Sequence, residues 1–364
     1  MTPAIPRSAL ADMRWPAILD GAAAEMMGLQ YQFLQTERAP AAELEAAQWT
    51  QLTALVEYCA RTMPFHRERL QAASYIQNAP LSPQAFSRMP VLTRAEAAQP
   101  GGRLHSLSVP SAHRGTMRGT VQGPGGQPLT ITATGLHAFF NDAYLLRDLL
   151  WHETDFRGKW ARLSHDPATV TAGARGTRER DWGPAISAIY ATGAATGFDS
   201  ERPVADQATW LGRERPDYLS APPETLRLLA IHLREKKQKP PRLRALRCDG
   251  IAPPDLAPLC QDVFGLAPIV SVVLPETGCL ALQCPEHGSL HAMAEGVLAE
   301  ILDASGTACA PGQPGRLVVT PLHNFAMPLL RYDTGLGAAF GPPCACGRTL
   351  PVLENLSWRP AGSA

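Results

Sequence analysis

Three cysteines and a histidine near the end of the chain hold the clearest chemistry. Cys284 opens the run Cys284-Pro-Glu-His287-Gly-Ser-Leu-His291, and two more cysteines follow in Cys344-Ala-Cys346-Gly-Arg. Thiolates and a neutral imidazole suit Zn²⁺, and four such ligands close a tetrahedral structural site with no open position. Cys284, His291, Cys344 and Cys346 are the expected ligands, with His287 as the alternative to His291. A metal held this way ties two distant segments together. The other reading of the same residues is a set of unrelated buried thiols, since free Cys often serves as a small core residue.

The bulk numbers exclude several partners. A chain of 364 residues can bury a large core and hold two or more subdomains. Lys+Arg and Asp+Glu both number 33. Zero net charge argues against a nucleic-acid binder that works through bulk charge. The dense basic run Arg234-Glu-Lys-Lys-Gln-Lys239 stands beside Pro240-Pro241 and reads as a solvated helix end. Eight cysteines in a chain this long do not suggest a disulfide framework. Residues 1–30 lack the uninterrupted apolar stretch of a secretory signal. The most apolar segment, Gly265 to Leu282, is broken by Pro268, Pro275 and Glu276, which argues against a membrane span. A reduced, cytoplasmic protein with no membrane or nucleic-acid partner is expected.

The elements that must position the site are legible in part. Leu52, Leu55, Val56 and Cys59 fall at i, i+3, i+4 and i+7, one face of a helix in a mostly helical N-terminal third. Residues 76–128 are rich in Pro, Gly, Ser and Arg and read as loop. A helix is expected from about Leu136 to His152. The middle alternates: strand 217–220, helix Pro223 to Glu235 with Pro in its first turn, strand Leu243 to Cys248, helix Asp255 to Phe264, strand Ile269 to Leu274. Such repetition implies a parallel, doubly wound α/β sheet, whose ligands sit at the carboxyl ends of strands. Those ends are Ser220-Ala-Pro, Asp249-Gly250 and Pro275-Glu276. Beyond Gly296, the segments Val297 to Leu302, Gly315 to Thr320 and Pro328 to Tyr332 read as short strands of a small β-subdomain. The expected division is a helical region over 1–100, an α/β core over 101–295 and a β-subdomain with the zinc site over 296–364.

Three stretches resemble one family. They are Glu276-Thr-Gly-Cys-Leu-Ala-Leu-Gln-Cys284-Pro-Glu-His, the run from Gly312 through Arg331-Tyr332 to Gly335, and Cys344-Ala-Cys-Gly-Arg-Thr-Leu-Pro. They are similar to the phenylacetate–CoA ligase-like branch of the adenylate-forming (AMP-binding) superfamily, and Val56 to Leu70 resembles that family's N-terminal helix. The resemblance implies a large α/β domain with doubly wound sheets and a small β-subdomain. It also implies binding of ATP with Mg²⁺ and a carboxylic acid, formation of an acyl-adenylate, and transfer of the acyl group to coenzyme A after a small C-terminal domain rotates. Some relatives carry zinc in the cysteine-rich region.

Residue by residue, the match is partial. Val121-Gln-Gly123-Pro124-Gly125-Gly126-Gln127-Pro128 corresponds to the loop that holds the ATP phosphates. Gly123, Gly125 and Gly126 keep its glycine framework, but the hydroxyls are gone, Gln127 stands where the family has Lys, and Pro124 removes a backbone donor. Glu276 corresponds to the catalytic acidic ligand for Mg²⁺. Val272, Val273 and Pro275 replace its usual neighbours. Asp249 and Gly250 correspond to the adenine-contacting pair, with Asp one position before the usual Glu. Tyr332 belongs to the motif that holds the ribose, where Leu336 replaces the ribose-binding Asp and Asp333 points elsewhere by register. The hinge that the family has after Leu350-Pro351, and the small C-terminal domain with its catalytic Lys, are missing, so a truncated large domain is expected. Losing one preorganised donor of this kind costs on the order of 10²–10³ in rate, and the thioester-forming step relies on that domain's motion.

Three readings follow. One is a divergent acid–CoA ligase acting on an acyl or aryl carboxylate, with a separate protein supplying the missing domain. Another is a catalytically degenerate relative that binds a small acid, an acyl ligand or a partner protein without ATP chemistry. The third uses the acyl pocket on a preformed thioester. Ser164-His165-Asp166 has the residue types of a hydrolase triad, but sequence neighbours cannot adopt that geometry. Thr192-Gly-Ala-Ala-Thr196-Gly197 reads as a plain loop, with lining of the acid pocket as the alternative that the resemblance implies, and Trp151-His152 reads as core.

Overall fold

A computed structural model describes residues 5–75, 81–99, 102–122, 128–165 and 175–360. The chain divides into two compact units, Met1–Gln30 with Leu145–Val272 and Tyr31–Tyr144 with Val273–Ala364. These do not follow the divisions expected at residues 100 and 295. Both units are discontinuous because sheet pairing and core packing, not chain order, decide which residues cluster.

Within the second unit, β1 (Thr116–Gln122) and β2 (Pro128–Thr134) form an antiparallel hairpin in which Arg118 lies opposite Thr132. In the first unit lie β3 (Trp160–Ser164), β4 (Thr177–Glu179), β5 (Ala195–Asp199), β6 (Tyr218–Ala221), β7 (Ala245–Asp249) and the first four residues of β8 (Ile269–Leu274). Their order is β8-β7-β6-β3-β5-β4, with all neighbours parallel except β4 on β5. Every residue of β6 is buried, as expected of a central parallel strand covered on both faces. The helix Pro223–Glu235 packs through Leu226, Leu229, Ala230 and Leu233, the i, i+3, i+4, i+7 stripe. Leu226, Leu229 and Leu233 share a core with Leu219, Leu246, Trp210 and Leu256.

Three strands of this sheet, β3, β4 and β5, escaped the sequence reading. Thr192 to Gly197 was expected to be loop, yet Ala195, Thr196 and Gly197 lie in β5. Ser164, the first residue of the apparent triad, ends β3. Ala and Gly carry little strand signal, and burial between neighbours makes the strand β5.

The rest of the second unit begins with helices Ala41–Thr62 and Pro64–Ala72. Leu52, Leu55, Val56 and Cys59 are buried together with Met63, Leu322 and Leu330. The strands are β9 (Gly278–Gln283), β10 (Leu290–Ala292), β11 (Val297–Leu302), β12 (Gly315–Pro321), β13 (Tyr332–Phe340) and β14 (Val352–Trp358). They run in the order β11-β12-β13-β14-β10-β9, all antiparallel.

Two expectations change here. Residues 328–331 are not strand: Pro328 lacks an N–H, and Arg331 has φ 52, outside the extended region. The strand starts at Tyr332. Residues 76–128, expected as loop, contain β1 and the short helices Pro83–Ser87 and Arg94–Ala97. The second of these opens on a capping box, with Thr93 accepting from the Glu96 N–H and Glu96 accepting from the Thr93 N–H. Among the described residues, no helix is long and apolar enough to cross a membrane.

Candidate functional site

The antiparallel sheet explains how the cysteines meet. Cys284 follows the end of β9, His291 lies in β10, and Cys344 and Cys346 lie in the loop between β13 and β14. β10 pairs with both β9 and β14, so one strand brings both cysteine segments to its own histidine. Gly288 (φ 74) and Gly347 (φ 78) make the turns, and the Gly288 N–H donates to the Cys284 carbonyl at 2.9 Å.

The four ligand atoms of Cys284, His291, Cys344 and Cys346 all lie within 4.8 Å of one another. Cys344 Sγ is 3.9 Å from Cys284 Sγ, and Cys346 Sγ is 3.4 Å from His291 Nε2. Thiolates and imidazoles at ordinary zinc distances stand roughly 3.5–3.8 Å apart around a tetrahedron. His291 Nδ1 faces the Leu350 carbonyl at 3.2 Å, which fixes the ring with Nε2 toward the sulfurs. His287 is exposed on the turn and outside this group. Burial pushes the Cys284 thiol up. Burial acts on Cys344 in the same direction, but hydrogen bonds from the Cys346 backbone, Ser289 and the neighbouring thiols outweigh it and hold Cys344 low. The donor set, spacing and oriented imidazole fit zinc.

A second constellation surrounds Glu276. Leu92 is held beside β13: its N–H donates to the Arg331 carbonyl at 2.7 Å, and its carbonyl accepts from the Asp333 N–H at 2.9 Å. The chain then turns into the capped helix Arg94–Ala97, which sends Arg94 back toward Tyr332. Arg94 Nη1 lies 2.7 Å from Glu276 Oε1 and 3.3 Å from the Tyr332 hydroxyl, and Nη2 donates to the Val121 carbonyl at 3.3 Å. The Tyr332 hydroxyl donates to the same Oε1 at 3.2 Å. Tyr332 is fully buried, and burial together with the Glu276 charge pushes its pKa well up, so it remains a phenol. Glu276 and Tyr332, both expected to serve the nucleotide, are thus brought together. The carboxylate already has its cation, however, and as it stands Glu276 does not fit a free Mg²⁺ ligand. Sequence reasoning missed Arg94; the Thr93-x-x-Glu96 box was the available signal.

The turn after Glu276 is pinned by the helix Gly135–Trp151. Asn141 Oδ1 accepts from the Cys279 N–H at 3.0 Å. Gly278 has φ +81, and a Cβ there would stand 2.4 Å from Asn141 Oδ1 and 3.0 Å from His137 Cε1. His137 is buried and its pKa is pushed down to about 4. His323 stacks on Phe140 at 3.6 Å between ring centroids; burial first, then His137 and His113, push it down to about 3. A neutral, aromatic wall therefore lies behind this turn.

The remaining candidates lie elsewhere. Asp249 and Gly250 belong to the first unit, at the carboxyl end of β7, where Gly250 has φ 142 and its N–H donates to the Ser271 carbonyl at 2.9 Å. Gly123, Gly125, Gly126 and Gln127 lie outside the described residues. Asp333 pairs with Arg359, whose Nη2 stands 2.7 and 2.6 Å from its two oxygens. Leu336 is fully buried.

No family model matches the sequence, and no curated protein does. Among solved structures, the chain is similar to 2-hydroxyisobutyryl-CoA ligase. Against an open conformation in complex with 2-HIB-AMP and CoA, the TM-score is 0.70 at 19% identity, covering 88% of this chain and 75% of that one. Against the postadenylation state in complex with 2-HIB-AMP, it is 0.70 at 19% identity, covering 88% and 68%. Against the thioesterification state with 2-HIB-AMP and CoA, it is 0.68 at 18% identity, covering 88% and 68%. The fold is that of an adenylate-forming acyl-CoA ligase. At this identity the likeness carries the fold alone. On that ligase fold, this chain sets Arg94 against Glu276 and Arg359 against Asp333.

Proposed function

We propose that this protein activates a small acyl or aryl carboxylic acid as its adenylate or CoA thioester, on a large domain cross-linked by a structural zinc. The observation that carries this reading is the ligase fold across 88% of the chain, shared with an enzyme in complex with an acyl-adenylate and CoA. The quoted stretches around Glu276, Arg331-Tyr332 and Cys344 support the phenylacetate–CoA ligase-like branch. Cys284, His291, Cys344 and Cys346 would hold the zinc, whose part is to fasten the β13–β14 loop to β10.

ATP supplies the adenylyl group when bound. Arg94 and Tyr332 fix the Glu276 carboxylate, Asn141 fixes the turn that carries it, and His137 and His323 stay neutral behind it. Arg94 brings to Glu276 the positive charge that a metal ion brings elsewhere. Asp249 and Gly250, with the glycine-rich stretch from Gly123 to Gln127, are the further candidate nucleotide contacts.

A second reading is favoured by one observation, the Arg94–Glu276 pair at 2.7 Å. With its acidic ligand neutralised, the fold would bind a small acid, an acyl ligand or a partner protein without ATP chemistry. Calorimetric titration of ATP·Mg²⁺, followed by pyrophosphate release with a panel of carboxylic acids, separates the two. Micromolar to sub-millimolar binding and acid-dependent release support activation. No binding removes adenylation and leaves the second reading.

A further inference from the structure

The second unit contains a cavity of about 290 Å³ that none of the residues discussed above explains. Its lining includes Arg118 of β1, Thr130 of β2, Arg103 and His105, together with Leu104 and Met327. Arg118 is oriented by its own hairpin, because its Nε donates to Thr132 Oγ1 at 3.3 Å across the ladder. Its terminal nitrogens have no hydrogen-bond partner among the described residues. His105 Nδ1 is buried and also lacks a partner. The loop that carries His105 closes on itself through the His105 N–H to the Gly102 carbonyl at 2.9 Å. Gly102 has φ +65, and a Cβ there would stand 3.0 Å from the His105 ring.

The charges in this cavity are unequally committed. Glu96, on the rim, accepts from the Thr93 N–H at 2.8 Å and the Thr93 hydroxyl at 2.7 Å, so its carboxylate serves the helix cap. Arg103 is 3.6 Å from Glu68, and both side chains are exposed, a weak pairing that a better anion can displace. What remains is one uncommitted guanidinium, a second loosely held one, a hydroxyl and an imidazole. They come from three separate segments and face one space. Two guanidinium groups with a hydroxyl and an imidazole present more donors than the two oxygens of a carboxylate can accept, and the oxygens of phosphate can take more of them.

We propose that this cavity binds the phosphate oxygens of a small molecule, with Arg118 as the principal contact and Thr130, His105 and Arg103 around it. The proposal rests on the cavity and stands independently of the ligase reading.

The test titrates inorganic pyrophosphate and, separately, acetate into the full chain in a phosphate-free buffer. Saturable pyrophosphate binding is expected, weakened about tenfold or more by Arg118→Gln and less by Arg118→Lys, since the lost contact is a charge-assisted hydrogen bond. Thr130→Val, which removes only a hydroxyl from an exposed strand position, is expected to weaken it by a smaller factor. Absence of saturable binding overturns the proposal. So does binding that Arg118→Gln and Thr130→Val leave unchanged, or acetate binding as tightly as pyrophosphate. An ATP·Mg²⁺ titration on the same proteins keeps the two ideas apart. Pyrophosphate binding through Arg118 without ATP binding sinks activation and leaves this site. ATP binding that is indifferent to Arg118, with no pyrophosphate site, does the reverse.

Discussion

The Cys284–His291–Cys344–Cys346 cluster and the Glu276–Tyr332–Arg94 cluster are both buried, both assembled from segments far apart in the chain, and both built around ligands for a cation. They differ in where the cation comes from. Three thiols and an oriented imidazole converge within 4.8 Å, and the arginine beside them, Arg348, divides its guanidinium among Cys346, Glu37 and Glu286. At Glu276 the chain supplies its own cation, with Arg94 at 2.7 Å. Four convergent donors beside one arginine already shared with two carboxylates still call for a metal, whereas a single carboxylate with an arginine of its own does not. The identity of a metal-ligand residue therefore says less than its partner does.

The largest effect is expected at the cysteines. Protein purified without chelator should contain one zinc per chain, and Cys346→Ser should lose it and destabilise the fold by about 4 kcal/mol, since structural zinc binding is folding free energy. Elemental analysis with thermal unfolding checks this. Metal-free protein whose melting temperature matches that of chelator-treated protein would erase the contrast between the clusters.

A smaller effect is expected at the arginine. Arg94→Met leaves the Glu276 carboxylate buried without its cation and should cost about 2 kcal/mol, the modest end for a broken pair because Arg94 keeps some solvent contact. Glu276→Gln should cost less, and the double variant less than the sum of the two. Denaturant unfolding with and without Mn²⁺ sharpens the comparison. If Mn²⁺ stabilises Arg94→Met but not the parent, Glu276 is a metal ligand held shut by arginine. If it stabilises neither, Glu276 is structural.

The smallest effect is a pH slope. Acid acts on both clusters at once, so a reference outside them is needed, and His66 provides it. Its Nε2 faces the Pro328 carbonyl at 2.8 Å, its Nδ1 faces Arg69 at 3.1 Å, and burial followed by the Arg69 charge pushes its pKa from 6.5 to about 3. The unfolded chain takes the proton near 6.5 while the folded chain refuses it until about 3. Stability is therefore fully present above the higher value and falls as pH drops through the window between them. His66→Gln should remove about 1 kcal/mol of the loss between roughly pH 6.5 and 5.5. Urea midpoints against pH measure it; an unchanged slope would assign the acid sensitivity to other groups.

Much of the parallel sheet could be read directly. The helix Pro223–Glu235 and the strands β8 and β11 lie where their patterns put them, because a 3.6-residue stripe and a Val/Ile run are local properties. β5 could not be read, because its Ala and Gly become strand only when neighbours cover them. Within the zinc candidate, residue types pointed to the ligands, but the choice between His287 and His291 required β10, which points one histidine at the sulfurs and leaves the other on an exposed turn. Arg94 was illegible as a site residue because it lies 182 positions from Glu276.

The sequence by itself determined the donor types, the helix faces and the alternation that makes an α/β core, since each depends on side chains a few positions apart. The tertiary structure alone decided which charges meet. Glu276 accepts from Arg94, Asp333 pairs with Arg359, and the terminal nitrogens of Arg118, beside a cavity, meet no partner among the described residues. Electrostatic partnership depends on distance in space and on burial, and neither is encoded in the spacing of residues along the chain.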